Sequence, residues 1–216
     1  MLFWRNLSDH ATIVFAGVSS KCHGKMLSDR EIIDGCLKHS RKAQQQLYDK
    51  YSRYLLGVCI RYSTDRSEAE DVLQDVFVRV FFNIEEYSGA GSFQGWLRRV
   101  AVNTAITNYH KNLKHRYHVD IDEYKTVETG ALSFEEDLFS ADELHNVLNS
   151  LPAGYKMVFN LYAIEGYKHR EIAGMLKIDV NTSKSQYSRA RALLREKLGK
   201  LRKIRGVYEA GSEKEE

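Results

Sequence analysis

His169–Leu198 reads HREIAGMLKIDVNTSKSQYSRARALLREKL. Its apolar residues recur at helical spacing on both sides of a short break at Lys177–Val180. Ile172, Ala173, Leu176, Ile178 and Val180 are placed to pack against Tyr187, Ala190 and Leu194. Ala173 is small where two helices must cross closely, and Asn181 or Thr182 can cap the second helix. The pattern predicts a helix-turn-helix. It leaves Lys184, Ser185, Ser188, Arg189 and Arg195 on outward or flanking faces. A solvated basic helix is the plain reading of that charge. The turn spacing, the cap and the charge of the surrounding block favour a helix laid in a DNA major groove. There Lys184 and Arg189 would reach base edges or phosphates, and Ser185 and Ser188 would add short hydrogen bonds.

The rest of the chain is of the same kind. Pro152 is the single proline in 216 residues, where average usage would supply about ten. Proline breaks helix interiors, so its scarcity suits an all-α chain. Pro152 stands at a predicted helix start, followed by Ala153–Ile164 and then His169–Leu176 and Asn181–Arg202. Upstream, Ala43–Tyr62, Glu68–Asn83 and Phe93–His110 read as helices, separated by Ser63-Thr64-Asp65 and by Ser88-Gly89-Ala90-Gly91-Ser92. The net charge of +3 hides a block structure. It is +2 over 1–27, +3 over 28–116, −8 over 117–150, +9 over 151–206 and −3 over 207–216. We therefore expect two small helical domains, 28–116 and 141–206. An acidic flexible linker at 117–140 joins them, with an N-terminal extension at 1–27, expected to be disordered, and an acidic tail at 207–216.

Two further surfaces are legible. Asp71, Gln74 and Asp75 share one exposed side of the helix Glu68–Asn83, with Val78 a turn beyond. Spacing alone makes this a solvated face. Between Arg98 and Arg116 there are five basic residues and no acid, with Phe93, Trp96, Tyr109 and Tyr117 close by. Basic residues interleaved with aromatics suit single-stranded nucleic acid. Phe93 and Trp96 also read as core residues, and for Trp96 spacing favours the core; the Asn103 amide reads as a base reader or as a partner for a loop.

These segments together resemble the extracytoplasmic-function (ECF) group of bacterial RNA polymerase sigma factors. The matching stretches are AEDVLQDVFVRVF (69–81), FQGWLRRVAVNTA (93–105), LPAGYKMVFNLYAIEGYKHREIA (151–173) and NTSKSQYSRARALLREKL (181–198). The resemblance covers about residues 28–205. It implies a protein that binds core RNA polymerase, recognises promoter −35 and −10 elements and helps to melt the promoter, initiating transcription of a stress or envelope-signal regulon. It reassigns Asp71, Gln74, Asp75 and Val78 to gripping the polymerase clamp. It assigns Phe93, Trp96, Arg98, Arg99, Asn103, Lys111, Lys114 and Arg116 to −10 DNA, with Asn103 near a pocket for a flipped non-template base. It assigns Asn181, Thr182, Lys184, Ser185, Ser188 and Arg189 to −35 DNA. The linker resembles the segment that threads the RNA-exit path, and an anti-sigma factor is an implied partner. Two positions depart from the family pattern: Ser183, where a small apolar residue is common, and Gln186, where many members are basic.

Other classes fit less well. There is no GxxxxGK[ST], HExxH or post-strand GxGxxG, so an enzyme is not expected. Neither is a cofactor or a small-molecule substrate. His110, His115 and His118 lack the cysteine or carboxylate companions of a metal site. Three scattered cysteines make no disulfide framework or zinc module, which suits a reducing cytoplasm. Leu2–Val18 is interrupted by Arg5, Asp9 and His10, too polar for a signal peptide or a span. A stand-alone helix-turn-helix regulator is the competing reading. It accounts for 151–206 and leaves the acidic helix and the basic-aromatic segment without a purpose.

Overall fold

The computed structural model describes residues 27–115 and 139–212, with side chains over 27–113, 139–140 and 143–203. Every regular element among them is helical. Contacts divide the chain into two compact units, residues 1–108 and 109–216.

In the first unit, α1 (Asp29–Leu37), α2 (Arg41–Tyr62) and α3 (Arg66–Asn83) follow in order, then α4 (Phe93–His115), whose last turns from Tyr109 on are counted with the second unit. A capping box starts α1: Ser28 Oγ accepts from the Glu31 amide, and the Glu31 carboxylate accepts from the Ser28 amide. Its end is a Schellman turn, with the His39 amide on the Cys36 carbonyl and the Ser40 amide on Gly35. His39 takes the left-handed conformation, φ 55°, where glycine would be less strained. The helices α1 and α2 meet closely at Gly35, where a Cβ would collide with that of Ala43. Asp29 ties them at the edge, accepting from Lys50 Nζ at 2.8 Å and the Tyr51 hydroxyl at 2.6 Å.

The core of this unit follows the apolar stripes. Leu47, Tyr51, Leu55 and Val58 of α2 are buried, as are Ala69, Val72, Leu73, Val76, Phe77 and Val80 of α3. On α4 Leu97, Ala101, Val102, Ala105 and Ile106 are buried. Trp96 and Val100 are half-buried. Asp65 caps α3 by accepting from the Glu68 amide, so the predicted break does hold the cap.

The second unit contains α5 (Ala141–Asn149), α6 (Ala153–Phe159), α7 (His169–Leu176) and α8 (Val180–Ser212). Pro152 is the N-cap of α6, where its missing N–H costs nothing. A π-helical turn, Asn160–Ile164, continues α6 and brings the Tyr162 ring onto His169 at 4.3 Å. Between α7 and α8 the turn is again a left-handed residue, Lys177 at φ 56°, with the Ile178 amide on the Ala173 carbonyl. Asp179 rather than Asn181 or Thr182 caps α8: its Oδ1 accepts from the Asn181 amide at 2.7 Å. The helix opens one residue earlier than expected, and its cap moves with it. It also continues to Ser212, past the expected end at Arg202. Ala190, Leu194 and Leu198 on its inner side pack with Val147, Leu151 and Phe159.

The expected linker lies outside the described residues except for Phe139 and Ser140, the latter the N-cap of α5. So do residues 1–26 of the extension and 213–216 of the tail.

Candidate polymerase and nucleic-acid surfaces

The acids at the start of α3 divide into two sets. Asp65 caps the helix, Glu68 accepts from the Thr64 amide and from Asn108 of α4, and Glu70 pairs with Arg66 at 2.8 Å. These are structural. Asp71 and Asp75 are exposed and have no hydrogen-bond or ionic partner among the described residues. They stand four apart, a like-charge pairing that costs a helix about 0.2–0.5 kcal/mol. Gln74 is exposed beside them and Val78 is half-buried. Phe82, one turn past Val78, is 58% exposed. Sequence reasoning missed it. Its signal was its four-residue offset from Val78, on the same side of the helix.

The second surface is a cleft of about 600 Å³ between α3, α4 and the loop that joins them. Trp96, Arg99, Val100 and Asn103 line it from α4, at spacings of three, four and seven that share one helix face. Asn103 is exposed and open to a ligand. Arg79 and Asn83 line it from α3 and Tyr87 from the loop, none of them anticipated. The loop is braced: the Tyr87 hydroxyl donates to the Gly91 carbonyl at 2.9 Å, and Gly89 and Gly91 take φ of 76° and 83°. The Ser92 hydroxyl accepts from the Gly95 amide and starts α4. A Cβ on Gly95 would lie 2.9 Å from that hydroxyl, which would have to turn aside and give up the cap.

Phe93 departs from its expected place. It is 4% exposed, clamped by Tyr51, Tyr87 and Trp96 at 5.7, 5.2 and 5.8 Å. Its position opens the helix toward the core, so it supports the Trp96 ring and offers no face to DNA. Trp96 stacks on it at 12° and keeps part of its surface at the cleft. Arg98 is half-buried and does not line the cleft; Arg99 and Lys111 are exposed. The side chain of Lys114 and all of Arg116 lie outside the described residues.

The third surface is the outer side of α8. Asn181, Thr182 and Lys184 are exposed. Ser185 and Ser188 are half-buried, and the Ser185 hydroxyl donates to the Thr182 carbonyl at 3.0 Å. Arg189, expected on an outward or flanking face, is half-buried. One of its guanidinium nitrogens donates to the Tyr155 hydroxyl of α6 at 3.4 Å, and its buried Nε has no hydrogen-bond partner among the described residues. The α6 tyrosine lies beside α8 at that level and captures the side chain.

Burial pushes the thiol of Cys36 up to about 11 and that of Cys59 up to about 12, so both stay protonated and unreactive at neutral pH. No helix among the described residues is long and apolar enough to cross a membrane.

The family model of Sigma-70 region 2 matches residues 47–114, and that of Sigma-70 region 4 matches residues 141–194. The chain belongs to the ECF group of sigma-70 factors. As an ECF factor it shares 29% identity over 191 residues with the ECF RNA polymerase sigma-E factor of Haemophilus influenzae, covering 81% of this chain and 97% of that one. With the sigma-E factor of Escherichia coli K12 it shares 28% over 184 residues, covering 81% and 96%. A solved structure of the sigma factor RpoE with the anti-sigma factor NepR from Bartonella quintana overlaps at a TM-score of 0.45 and 22% identity, covering 72% of this chain and 96% of that one. The region 2 match falls on the unit that holds the acidic face and the cleft. A stand-alone helix-turn-helix regulator would leave that unit without a purpose.

Proposed function

We propose that this sigma factor binds core RNA polymerase through α3, reads the −35 element through α8 and captures a flipped −10 base in the α3–α4 cleft. It acts without enzymatic chemistry of its own, in the cytoplasm. The observation that carries the reading is the state of Asp71 and Asp75. A helix that keeps two neighbouring carboxylates exposed and unpaired carries a standing cost, which a basic partner surface offsets. Gln74 and Val78 complete that contact, and the basic helical clamp of core polymerase fits it.

The cleft supports the melting step. Extruding a base costs a few kcal/mol of stacking, which pocket contacts must return. The Trp96 ring can stack on a base, the Asn103 amide can meet its polar edge, and Arg99 can hold the adjoining phosphate. Lys111, Lys114 and Arg116 would continue the phosphate track. On α8, Asn181, Thr182, Lys184, Ser185 and Ser188 would face the −35 duplex, and Arg189 would brace the helix from behind. The acidic linker would occupy the RNA-exit path, and an anti-sigma factor would hold the protein inactive until a stress or envelope signal releases it.

Transcription in vitro by core polymerase with this chain, on fragmented genomic DNA, tests the reading and reports the promoter. Discrete start sites preceded by a shared pair of elements are expected. No start sites above those of core alone would overturn it.

A further inference from the structure

The inner side of α8 carries Ser183, Tyr187, Ala190 and Leu194, spaced four, three and four. Ser183 is the polar exception at the start of this stripe, and it is fully buried. A buried hydroxyl without a partner costs about 1–3 kcal/mol, yet this one is satisfied. His169 Nδ1, on the first residue of α7, lies 3.0 Å from Ser183 Oγ across the helix-turn-helix. The imidazole is itself held in place. It stacks on Tyr162 at 4.3 Å and 14°, and meets the Tyr187 ring edge-on at 5.8 Å. Tyr162 and Tyr187 are 4.5 Å apart, so the three rings form one cluster.

This polar bridge occupies a position where packing alone would join the two helices. Apolar contacts are non-directional and let a helix roll by several degrees at little cost. A hydrogen bond is directional and weakens steeply off axis. Ser183 lies in the first turns of α8, with Asn181, Ser185 and Ser188 on the far side of the helix and Lys184 on its flank. Its bond therefore fixes the roll of the turns that would meet base edges.

We infer that His169 and Ser183 are positioning residues: their hydrogen bond sets the roll of the recognition helix and thereby its choice among DNA sequences. The inference rests on α8 being the −35 reader. Neither residue touches DNA. Their loss blurs sequence preference more than it weakens attachment, because Lys184 and the rest of the basic face keep their charge.

The test uses the full chain bound to core polymerase. The duplexes carry a promoter mapped by the transcription experiment, either intact or with single substitutions in its upstream element. Ser183→Val and Ser183→Thr have the same shape and differ in the hydroxyl. Ser183→Thr should keep the wild-type preference for the intact element to within about twofold, and Ser183→Val should lose about 5–10-fold of it. His169→Phe, which keeps the ring stack, should lose as much, and the double variant His169→Phe/Ser183→Val no more than either alone. Equal behaviour of the Thr and Val variants overturns the inference, as does full preference in His169→Phe or additive losses in the double variant. Should Ser183→Val fail to fold, the His169→Phe arm decides alone. The ring nitrogen shifts of His169 give a readout without DNA. Ser183→Thr should leave them unchanged and Ser183→Val should move Nδ1; no movement in either overturns the bridge. A wild-type holoenzyme with no preference among the duplexes would instead sink the −35 reading itself.

Discussion

Helices α3 and α8 solve opposite problems. The inner side of α3 is wholly apolar, with Ala69, Val72, Leu73, Val76, Phe77 and Val80 buried. Its outer side is left unsatisfied, with Asp71 and Asp75 unpaired among the described residues. The inner side of α8 contains a buried hydroxyl that needs His169. One helix is anchored without direction and, on the function proposed above, would hold its specificity in exposed charge. The other is anchored with direction, which would aim its short outward side chains. A charged surface tolerates small rotations because Coulomb attraction falls off slowly with distance, whereas base edges do not.

The largest expected effect breaks the α3 side of this contrast. Replacing both Asp71 and Asp75 by lysine should reduce core-polymerase binding by about 100-fold or more. The unfolding midpoint should hardly move, since exposed substitutions cost within about 0.5 kcal/mol. Retained co-purification with core polymerase would remove the clamp role. Next comes the cleft. Asn103→Ala should slow promoter opening by about 10–100-fold, the equivalent of one or two hydrogen bonds to a flipped base, and leave closed complexes intact. Footprinting of both complexes checks it, and equal loss in the two would refute the pocket.

Smaller effects test the packing beneath. Gly35→Ala forces a methyl into Ala43 and should destabilise the first unit by about 1–3 kcal/mol in urea unfolding. Lys184→Ala should weaken duplex binding a few-fold, with a salt slope shallower by about one unit if it meets a phosphate. An unchanged slope with lower affinity would mark it as a base reader.

The least of these effects is a pH dependence. Burial, together with the charge of Lys184, holds His169 below its ordinary value of 6.5. The unfolded chain therefore takes up this proton first as pH falls, and stability declines from about 6.5 downward. His169→Phe should flatten that part of the pH profile of unfolding, and an unaltered profile would argue against it.

Much of this was legible beforehand. The apolar stripes of α2 and α3, the break at Asp65 and the turn at Lys177 all follow from periodicity and cap chemistry, which are local. The acidic face was visible as residues, though not as an unpaired set. That distinction needed the partners of Glu68 and Glu70, one of which comes from α4. Phe93 was assigned by its residue type and its position in a motif, and it packs inward on a tyrosine remote in sequence, Tyr51; Arg189 likewise meets a remote tyrosine, Tyr155, that no local spacing shows.

By itself the sequence determined an all-α chain, its two helical segments set apart by an acidic stretch, its helix-turn-helix and its sigma-factor character. All of these rest on spacing along the chain, and spacing is a property of the chain. Only the tertiary structure decided which candidates share a surface. It joined Trp96, Arg99 and Asn103 to Arg79, Asn83 and Tyr87 in one cleft, and it drew Phe93 and Arg189 inward. It also paired Ser183 with His169, fourteen positions away. Such pairings arise when helices pack and bring together groups that no local periodicity relates.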